Sequence, residues 1–417
     1  MILNVGLGER AYDIVIERGC LAKAGTLCNL DRKVLVVTDS GVPLEYARAV
    51  AAQCAEAHLT VVAQGEQSKS LEAFDELLQT MIEAQFTRGD CVVAVGGGIV
   101  GDLAGFVAAS YMRGVDFYNI PTTVLAQVDS SIGGKTAINL GGYKNMVGAF
   151  YQPKKVLIDL DVLRTLPRRQ VANGLAEAVK VALTSDAQLF ELFEKAAAAG
   201  GFAAGAGAGD DAASCGAAAG TDAGADAAAA SAPVGGAFDT ADRTDAVYAV
   251  LEPHLETIIE RSLRVKKYVV EQDECEAGLR KILNFGHTIG HGVESYEQAL
   301  YGEPNTDASA STSDTAFAST DGREQGLYHG ECVALGMIPL CAAPVRARLI
   351  PVLRALGLPT TRVFDASAVT QAIKHDKKSS QSGVTIITVP EIGTYTIEQT
   401  TAEALSDLLP LIQEKEA

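Results

Sequence analysis

Two imidazoles four residues apart, His287 and His291, sit in the run Asn284-Phe285-Gly286-His287-Thr288-Ile289-Gly290-His291, a short way after Arg280. Residues four apart share one face of a helix, so both rings can address one cavity. Neutral imidazole is a metal ligand, although a His pair on a surface helix is the plain alternative. Glu177 and Lys180 lie three apart in Asn173-Gly174-Leu175-Ala176-Glu177-Ala178-Val179-Lys180, on a helix face that is otherwise apolar. By themselves they read as an ordinary ion pair. With His287 and the His329 of His329-Gly330-Glu331, Glu177 completes a set of one carboxylate and two imidazoles. That set suits a divalent ion held by three protein ligands, with positions left open for substrate oxygens. Sequence distance permits the convergence without requiring it.

The basic residues point to an anionic ligand. Arg113, Lys135, Lys144, Lys180, Lys266, Arg280 and Lys377 all fall within or beside motif-like segments, although the chain carries a formal net charge of -18. A locally positive pocket in an acidic protein follows, suited to phosphate or carboxylate groups. Cys91-Val92-Val93-Ala94-Val95 reads as a buried strand, Gly96-Gly97-Gly98 as a tight turn, and Ile99 to Gly105 as the start of a helix. Gly96, Gly98 and Gly101 satisfy G-x-G-x-x-G in the strand-turn-helix setting where bare backbone amides cradle phosphate, though glycines there also serve close packing. The turn follows the third or fourth strand rather than the first, a departure from the common dinucleotide pattern. Downstream, Ile120 to Thr136 combines small residues with Asp129 and Lys135, and Asn139 to Asn145 adds Lys144 and Asn145.

These residues need a scaffold to position them. Up to about Leu160, short β-branched runs alternate with amphipathic stretches: Lys33–Val37 as a strand, Tyr46–Ala57 as a helix, His58–Val62 as a strand, Leu71–Ala84 as a helix. Such alternation predicts a parallel sheet wrapped by helices. Beyond Thr165 the patterned segments are helical: Arg169–Val181, Ala187–Lys195, Ala246–Val270, His287–Ala299 and Glu331–Ala347. The expected architecture is an α/β Rossmann-like domain over residues 1–165 and an all-α domain over 166–417, with the site in the cleft between them. Residues 197–245, almost entirely Ala, Gly, Asp and Ser, and 305–323 lack large apolar side chains and read as disordered insertions.

At 417 residues, two domains are the natural expectation. The negative charge argues against nucleic acid as a partner. No apolar stretch is long enough to span a bilayer and Met1 to Arg18 alternates like a strand, so a cytoplasmic, non-membrane protein is expected. Eight cysteines without regular spacing read as buried thiols rather than a disulfide framework or zinc knuckle.

Taken in order, these segments resemble the 3-dehydroquinate synthase family, the sugar-phosphate cyclases of the shikimate pathway. The likeness runs through Leu7 to Ile16, Gly65-Glu66-Gln67-Ser68-Lys69, the Gly96 turn, Tyr111-Met112-Arg113-Gly114, Pro121 to Thr136, Gly174 to Lys180, Asp273-Glu274-Cys275-Glu276, Arg280 to His291, His329 to Met337 and Asp376-Lys377-Lys378. The two insertions depart from the family pattern. The resemblance implies conversion of 3-deoxy-D-arabino-heptulosonate 7-phosphate to 3-dehydroquinate and phosphate, with catalytic NAD, a divalent metal (zinc or cobalt) and a homodimer. It implies metal ligation by Glu177, His287 and His329, and a cofactor surface of Asp39, Gly65, Glu66, Gln67, Lys69, Gly98, Ile99, Val100, Gly101, Asp102, Thr122, Thr123, Lys135, Lys144 and Thr165. Phosphate falls to Lys135, Asn145 and His291, with Arg113 reaching a neighbouring subunit's site; the carboxylate falls to Lys266 and Arg280; ring hydroxyls fall to Asp129, Lys180, Glu276 and Asn284.

Three other readings stay open at this level. A related cyclase would keep the metal residues and alter the carboxylate contacts. A metal-dependent polyol dehydrogenase should lack Lys135, Asn145, Lys266 and Arg280 as a set. A non-catalytic nucleotide-binding scaffold would be favoured by the loss of a metal ligand, and all three candidates are present.

Overall fold

The run Cys91–Gly96 is buried at every position, as a strand covered on both faces must be. It lies near the middle of a sheet in a computed structural model that describes residues 1–141, 143–202, 240–302, 326–376 and 383–414. The first half supplies β1 (Ile2–Val5), β2 (Tyr12–Ile16), β3 (Lys33–Asp39), β4 (Glu56–Val62), β5 (Cys91–Gly96), β6 (Asp116–Pro121), the hairpin of β7 (Lys135–Leu140) and β8 (Tyr143–Phe150), and β9 (Lys155–Ile158). The main sheet runs β1-β2-β9-β6-β5-β3-β4. Its pairs are parallel except for β1 with β2. Helices α1 (Ala24–Leu27), α2 (Leu44–Ala51), α3 (Leu71–Glu83) and α4 (Gly98–Ser110) connect the strands.

Because β3 leads outward to β4 while β5 leads to β6 on its other side, the chain reverses direction in the sheet between β3 and β5. Ligands of open α/β sheets bind beyond the carboxyl ends of the strands at such a reversal. The glycine turn therefore follows the fifth strand in chain order, and it sits at the reversal all the same.

The second half contains α5 (Arg168–Ser185), α6 (Ala187–Ala199), α7 (Thr240–Leu251), α8 (Leu255–Gln272), α9 (His287–Tyr301), α10 (His329–Met337), α11 (Ala343–Ala355), α12 (Ala366–Asp376) and α13 (Ala402–Ser406). It is helical as expected, with one addition: β10 (Val384–Thr388) and β11 (Thr396–Thr400) form an antiparallel ladder. One apolar cluster joins Ile14, Val93 and Ile158 of the sheet to Val179, Ile289 and Leu335 of the helices, so both halves share a core. A second cluster lies under α3 and α4 on the opposite face of the sheet.

Several element boundaries differ from the sequence reading. The helix expected over 46–57 stops at Ala51, because residues from Glu56 onward pair with β3, Lys33 opposite Glu56. The helix expected over 246–270 breaks at Glu252–His254, where Pro253 lacks the amide a continuous helix needs. Pro339 divides the segment 331–347 in the same way. Within the stretch 197–245, Ala197–Ala199 and Thr240–Asp245 are helical, and Ala197 is buried in the core. Alanine favours helix wherever packing supplies a partner. Residues 305–323, Lys377 and Lys378 lie outside the described residues. Cys20, Cys28, Cys91, Cys332 and Cys341 are buried, Cys54 is half-buried, Cys275 is exposed, and Cys215 lies outside the described residues.

Candidate active site

Asp39 ends β3, Gly65–Lys69 follows β4, Gly97–Gly101 follows β5 and Thr122–Thr123 follows β6, so one rim of the sheet gathers most of the expected cofactor residues. The extended Gly97 precedes the first turn of α4, leaving that helix's amides bare. A Cβ on Gly98 would stand 2.8 Å from Ser130 Oγ, so the turn and the Asp129 loop approach closely and a side chain there would make the Ser130 hydroxyl move. Lys69, nine-tenths or more buried, donates to Asp102 Oδ2 at 2.7 Å. Burial opposes its charge, but Asp102 and Glu66 outweigh burial and raise its pKa. Asp39 accepts from the Gly41 amide at 2.8 Å, and burial pushes its carboxyl up. Thr122 is buried, and Thr123 Oγ1 caps the Ala126 amide at 3.1 Å. Ile99 is half-buried beside the turn, while the Val100 side chain belongs to the core, leaving only its backbone for a ligand. Gln67 lies in the turn Glu66–Ser68, and Thr165 faces the Tyr46 hydroxyl at 3.0 Å.

The second cluster is built from side chains on α5, α9 and α10. Their close approach is set by glycine: a Cβ on Gly330 would collide with the Asn173 carbonyl, and one on Gly336 with the Gly286 carbonyl. Glu177, from α5, is 1% exposed, and its Oε1 lies 3.6 Å from His287 Nε2 and 3.5 Å from His329 Nε2. Lys180 pairs with its other oxygen, yet neither carboxylate oxygen accepts a well-formed hydrogen bond. Lys180 offsets the charge through Oε2, and Oε1, which faces the two imidazoles without a hydrogen bond, is the oxygen a further cation would complete. Behind the rings, His287 Nδ1 meets the Phe285 carbonyl at 3.0 Å and His329 Nδ1 meets Glu294 Oε2 at 3.2 Å. These are the outer contacts that fix the tautomer and aim of a metal-ligating imidazole. His291 stands alongside, with His287, His291 and His329 ligand atoms within 4.8 Å of one another.

The electrostatics match a cation site. Burial opposes the charge of Glu177, but Lys180 and then His287 and His329 hold its carboxyl well below the usual range. Burial, followed by the Lys180 charge, pushes His287 down to about 3. Burial also works against a charged His329, yet the nearby Glu177 and Glu294 carboxylates push it up to about 10. Two carboxylates thus demand positive charge at His329, while His287 keeps a free lone pair.

Between these clusters lies a cavity of about 560 Å³ lined by Asp102, Asp129, Lys135, Asn145, Lys266, Arg280, Asn284, His287 and His291, among others. Asp129 and Ser130 reach it from a single π-type turn, Ala126–Ser130, a local form common at functional sites. Lys266 donates to the Asp129 carbonyl at 2.6 Å and pairs with its carboxylate. Burial opposes ionisation of Asp129, but Lys266 and Lys180 hold its carboxyl down to about 2, while burial pushes Lys266 down. Arg280, 2% exposed, donates to the Gly133 carbonyl at 3.1 Å. Its loop is pinned by Asp273, whose carboxylate caps the amides of Ala277, Gly278 and Arg280. Lys135 pairs with Glu276, which accepts from Asn284 Nδ2 at 2.7 Å. The structure thus brings the expected anion-binding and hydroxyl-binding residues together, except that Arg113 stands exposed on a turn (φ 69°) outside this lining.

Sequence reasoning missed Glu294, Asp273 and Asn173. Glu294 was within reach of it, since 287, 291 and 294 share one face of α9 by the spacing that flagged the two histidines. The Asn173 side chain accepts the Gly330 amide at 2.6 Å, a contact across 157 positions that no local pattern announces.

Comparison with known proteins decides the family. The family model described as "3-dehydroquinate synthase N-terminal" matches residues 59–173, and "3-dehydroquinate synthase C-terminal" matches 236–303. The 3-dehydroquinate synthase of Streptococcus pneumoniae (strain ATCC 700669 / Spain 23F-1) is 34% identical over 98% of this chain and 99% of its own. The chain belongs to the 3-dehydroquinate synthase family. The enzyme of this name from Streptococcus sanguinis (strain SK36) is equally similar, 34% identical over 98% of this chain and 99% of its own. Among solved structures, a 2-deoxy-scyllo-inosose synthase complexed with carbaglucose-6-phosphate, NAD+ and Co2+ has a TM-score of 0.71 at 23% identity, covering 98% of this chain and 99% of that one. A 2-epi-5-epi-valiolone synthase from Streptomyces hygroscopicus subsp. jinggangensis with NAD+ and Zn2+ bound also has a TM-score of 0.71, at 24% identity over 96% of each chain. These last two establish the fold: a dehydroquinate synthase-like α/β domain with a helical second half. Among the described residues, no helix is long and apolar enough to cross a membrane.

Proposed function

We propose that this chain converts 3-deoxy-D-arabino-heptulosonate 7-phosphate to 3-dehydroquinate and phosphate, with NAD and a divalent metal, zinc or cobalt, as cofactors. The observation that carries the reading is the buried Glu177 carboxylate, paired with Lys180 through one oxygen and facing His287 and His329 at 3.6 and 3.5 Å through the other, which accepts no hydrogen bond. Glu177, His287 and His329 would hold the metal, and the donor set of one carboxylate and two imidazoles fits it. When bound, a divalent cation there makes the proton of a secondary alcohol easier to lose. The rim of β3, β4, β5 and β6, with the bare amides of α4, fits a dinucleotide, and NAD when bound takes up one hydride and later returns it.

The chain's own residues hold and orient the substrate. Lys266 and Arg280, both buried, receive the carboxylate, for which Arg280 offers a planar two-point donor. Lys135, Asn145 and His291 receive the phosphate. Asp129, Lys180, Glu276 and Asn284 meet the ring hydroxyls, and Asp129 stays ionised because Lys266 and Lys180 face it. Once one hydroxyl is a ketone the neighbouring C–H is acidic, and phosphate leaves with its own oxygen as base. The enol pyranose left after elimination and re-reduction would then open and close as a carbocycle within the same cavity. The cavity's part is to hold that reactive species and exclude water. Homodimerisation, with Arg113 turned towards a neighbour's phosphate site, and residence in the cytoplasm belong to the same proposal, which family membership supports.

The test is incubation of the protein with the heptulosonate phosphate, NAD and zinc or cobalt, following phosphate and dehydroquinate together. Equimolar appearance of both, without accumulation of reduced cofactor, is the expected result. Phosphate release without the carbocycle, or stoichiometric reduction of NAD, would overturn the proposal in favour of a hydrolase or a dehydrogenase.

A further inference from the structure

Lys144 and Asn145 are adjacent in β8, yet their side chains reach different parts of the site. Asn145, at φ 58°, accepts from Lys69, which also donates to Asp102 at the α4 side of the cavity. Lys144 turns to the helical half instead: its Nζ donates to Glu294 Oε1 at 3.1 Å. The other oxygen of that carboxylate lies 3.2 Å from His329 Nδ1. Glu294 is therefore shared between an imidazole of the metal cluster and a cation that arrives from the first half of the chain.

The two imidazoles facing Glu177 are aimed by different means. His287 leans on the Phe285 carbonyl, two residues away and fixed by the backbone of its own chain segment. His329 leans on a carboxylate at the end of a flexible side chain, which must itself be held before it can hold a ring. Gln298 approaches the Glu294 oxygen that faces Lys144 only at 3.4 Å, so Lys144 is the closer and charged anchor. Outer contacts of this kind orient ligands and raise their basicity, and a charge-assisted bond is the strong form of such an anchor.

We propose that Lys144, acting through Glu294, is a positioning residue for the metal ligand His329, so that the β7–β8 hairpin helps to set metal affinity. The inference rests on Glu177, His287 and His329 being the metal ligands. It gives Lys144 a role apart from the cofactor surface that the family resemblance assigns to it.

Zinc affinity measured on the full chain by chelator competition, with metal-free folding monitored by thermal unfolding, tests this. Glu294→Gln should weaken zinc by about 10- to 100-fold, the usual cost of losing an outer-shell partner. Lys144→Met, an exposed side chain whose loss does not endanger the fold, should weaken it by about 3- to 10-fold, and Lys144→Arg by about twofold or less. The double variant should bind no more weakly than Glu294→Gln alone, because both act along one chain of contacts. Wild-type zinc affinity in Lys144→Met with NAD affinity reduced would overturn the proposal and leave Lys144 on the cofactor surface. So would a double variant whose loss is the product of the two single losses. A wild-type chain that binds no zinc overturns the metal reading itself, which separates the two failures.

Discussion

The rim of the sheet and the α5–α9–α10 cluster solve the binding problem in opposite ways. The rim uses backbone: bare amides at the start of α4, a glycine turn, and short polar side chains at the ends of successive strands. The helical cluster uses side chains carried by three separate helices, in which a buried carboxylate, two imidazoles and a lysine face one another. A backbone-built site is local in sequence and tolerant of side-chain change. A side-chain-built site is scattered in sequence and loses most of its function with one substitution.

That contrast predicts a ranking of effects. Glu177→Gln should be the most damaging change, lowering turnover by roughly 10³-fold or more, since several kcal/mol of charge stabilisation go with the cation. Steady-state phosphate release measures it, and near-normal turnover would break the contrast. Arg280→Met should follow, with kcat/KM down by roughly 10²-fold, the scale of losing one partner of a buried charged contact. The loss should fade for a substrate analogue lacking the carboxylate. On the rim, Gly98→Ala should cost about tenfold or less in NAD affinity, because the added Cβ meets a hydroxyl that can turn aside. A loss as large as that of Glu177→Gln would mean that the rim is no more tolerant than the helices.

A separate effect, on stability rather than on binding or turnover, concerns acid. Asp129 is lowered from 3.8 to about 2 in the fold, against burial, by Lys266 and Lys180. A depressed carboxyl contributes stability that is full above its unfolded value and is lost as pH falls through the folded one. At pH 6 the wild type should therefore gain about 2 kcal/mol over Asp129→Asn from this ionisation. The gap should narrow between pH 4 and pH 2, as denaturant unfolding at each pH would show. A constant gap across that range would remove the ionisation argument and leave only packing.

How much was legible in the sequence follows the same division. The strand Cys91–Gly96, its glycine turn and the start of α4 are local patterns, and the structure has them where the residues imply. The helix boundary at Ala51 was not legible, because Glu56 onward is claimed by pairing with β3, a distant choice that overrides local periodicity. The β10–β11 ladder was missed within a half otherwise dominated by helical spacing. At the site, the candidate metal residues could be read from type and spacing and most other roles only through the family resemblance, but not their convergence. That depends on Gly330 and Gly336 letting three helix backbones touch. Glu294 shows the limit most clearly: its spacing from His287 was visible, while its bond to His329 on another helix was not.

Two sets of side chains compete for the metal: the proposed Glu177, His287 and His329, and the three neighbouring imidazoles His287, His291 and His329. Cobalt titration of chelator-treated protein, read by visible absorption, compares the two sets directly in the wild type, Glu177→Gln and His291→Asn. With Glu177 as a ligand, one equivalent of cobalt per chain should bind the wild type, be retained in His291→Asn and be lost in Glu177→Gln. Cobalt kept by Glu177→Gln and lost by His291→Asn would contradict that assignment.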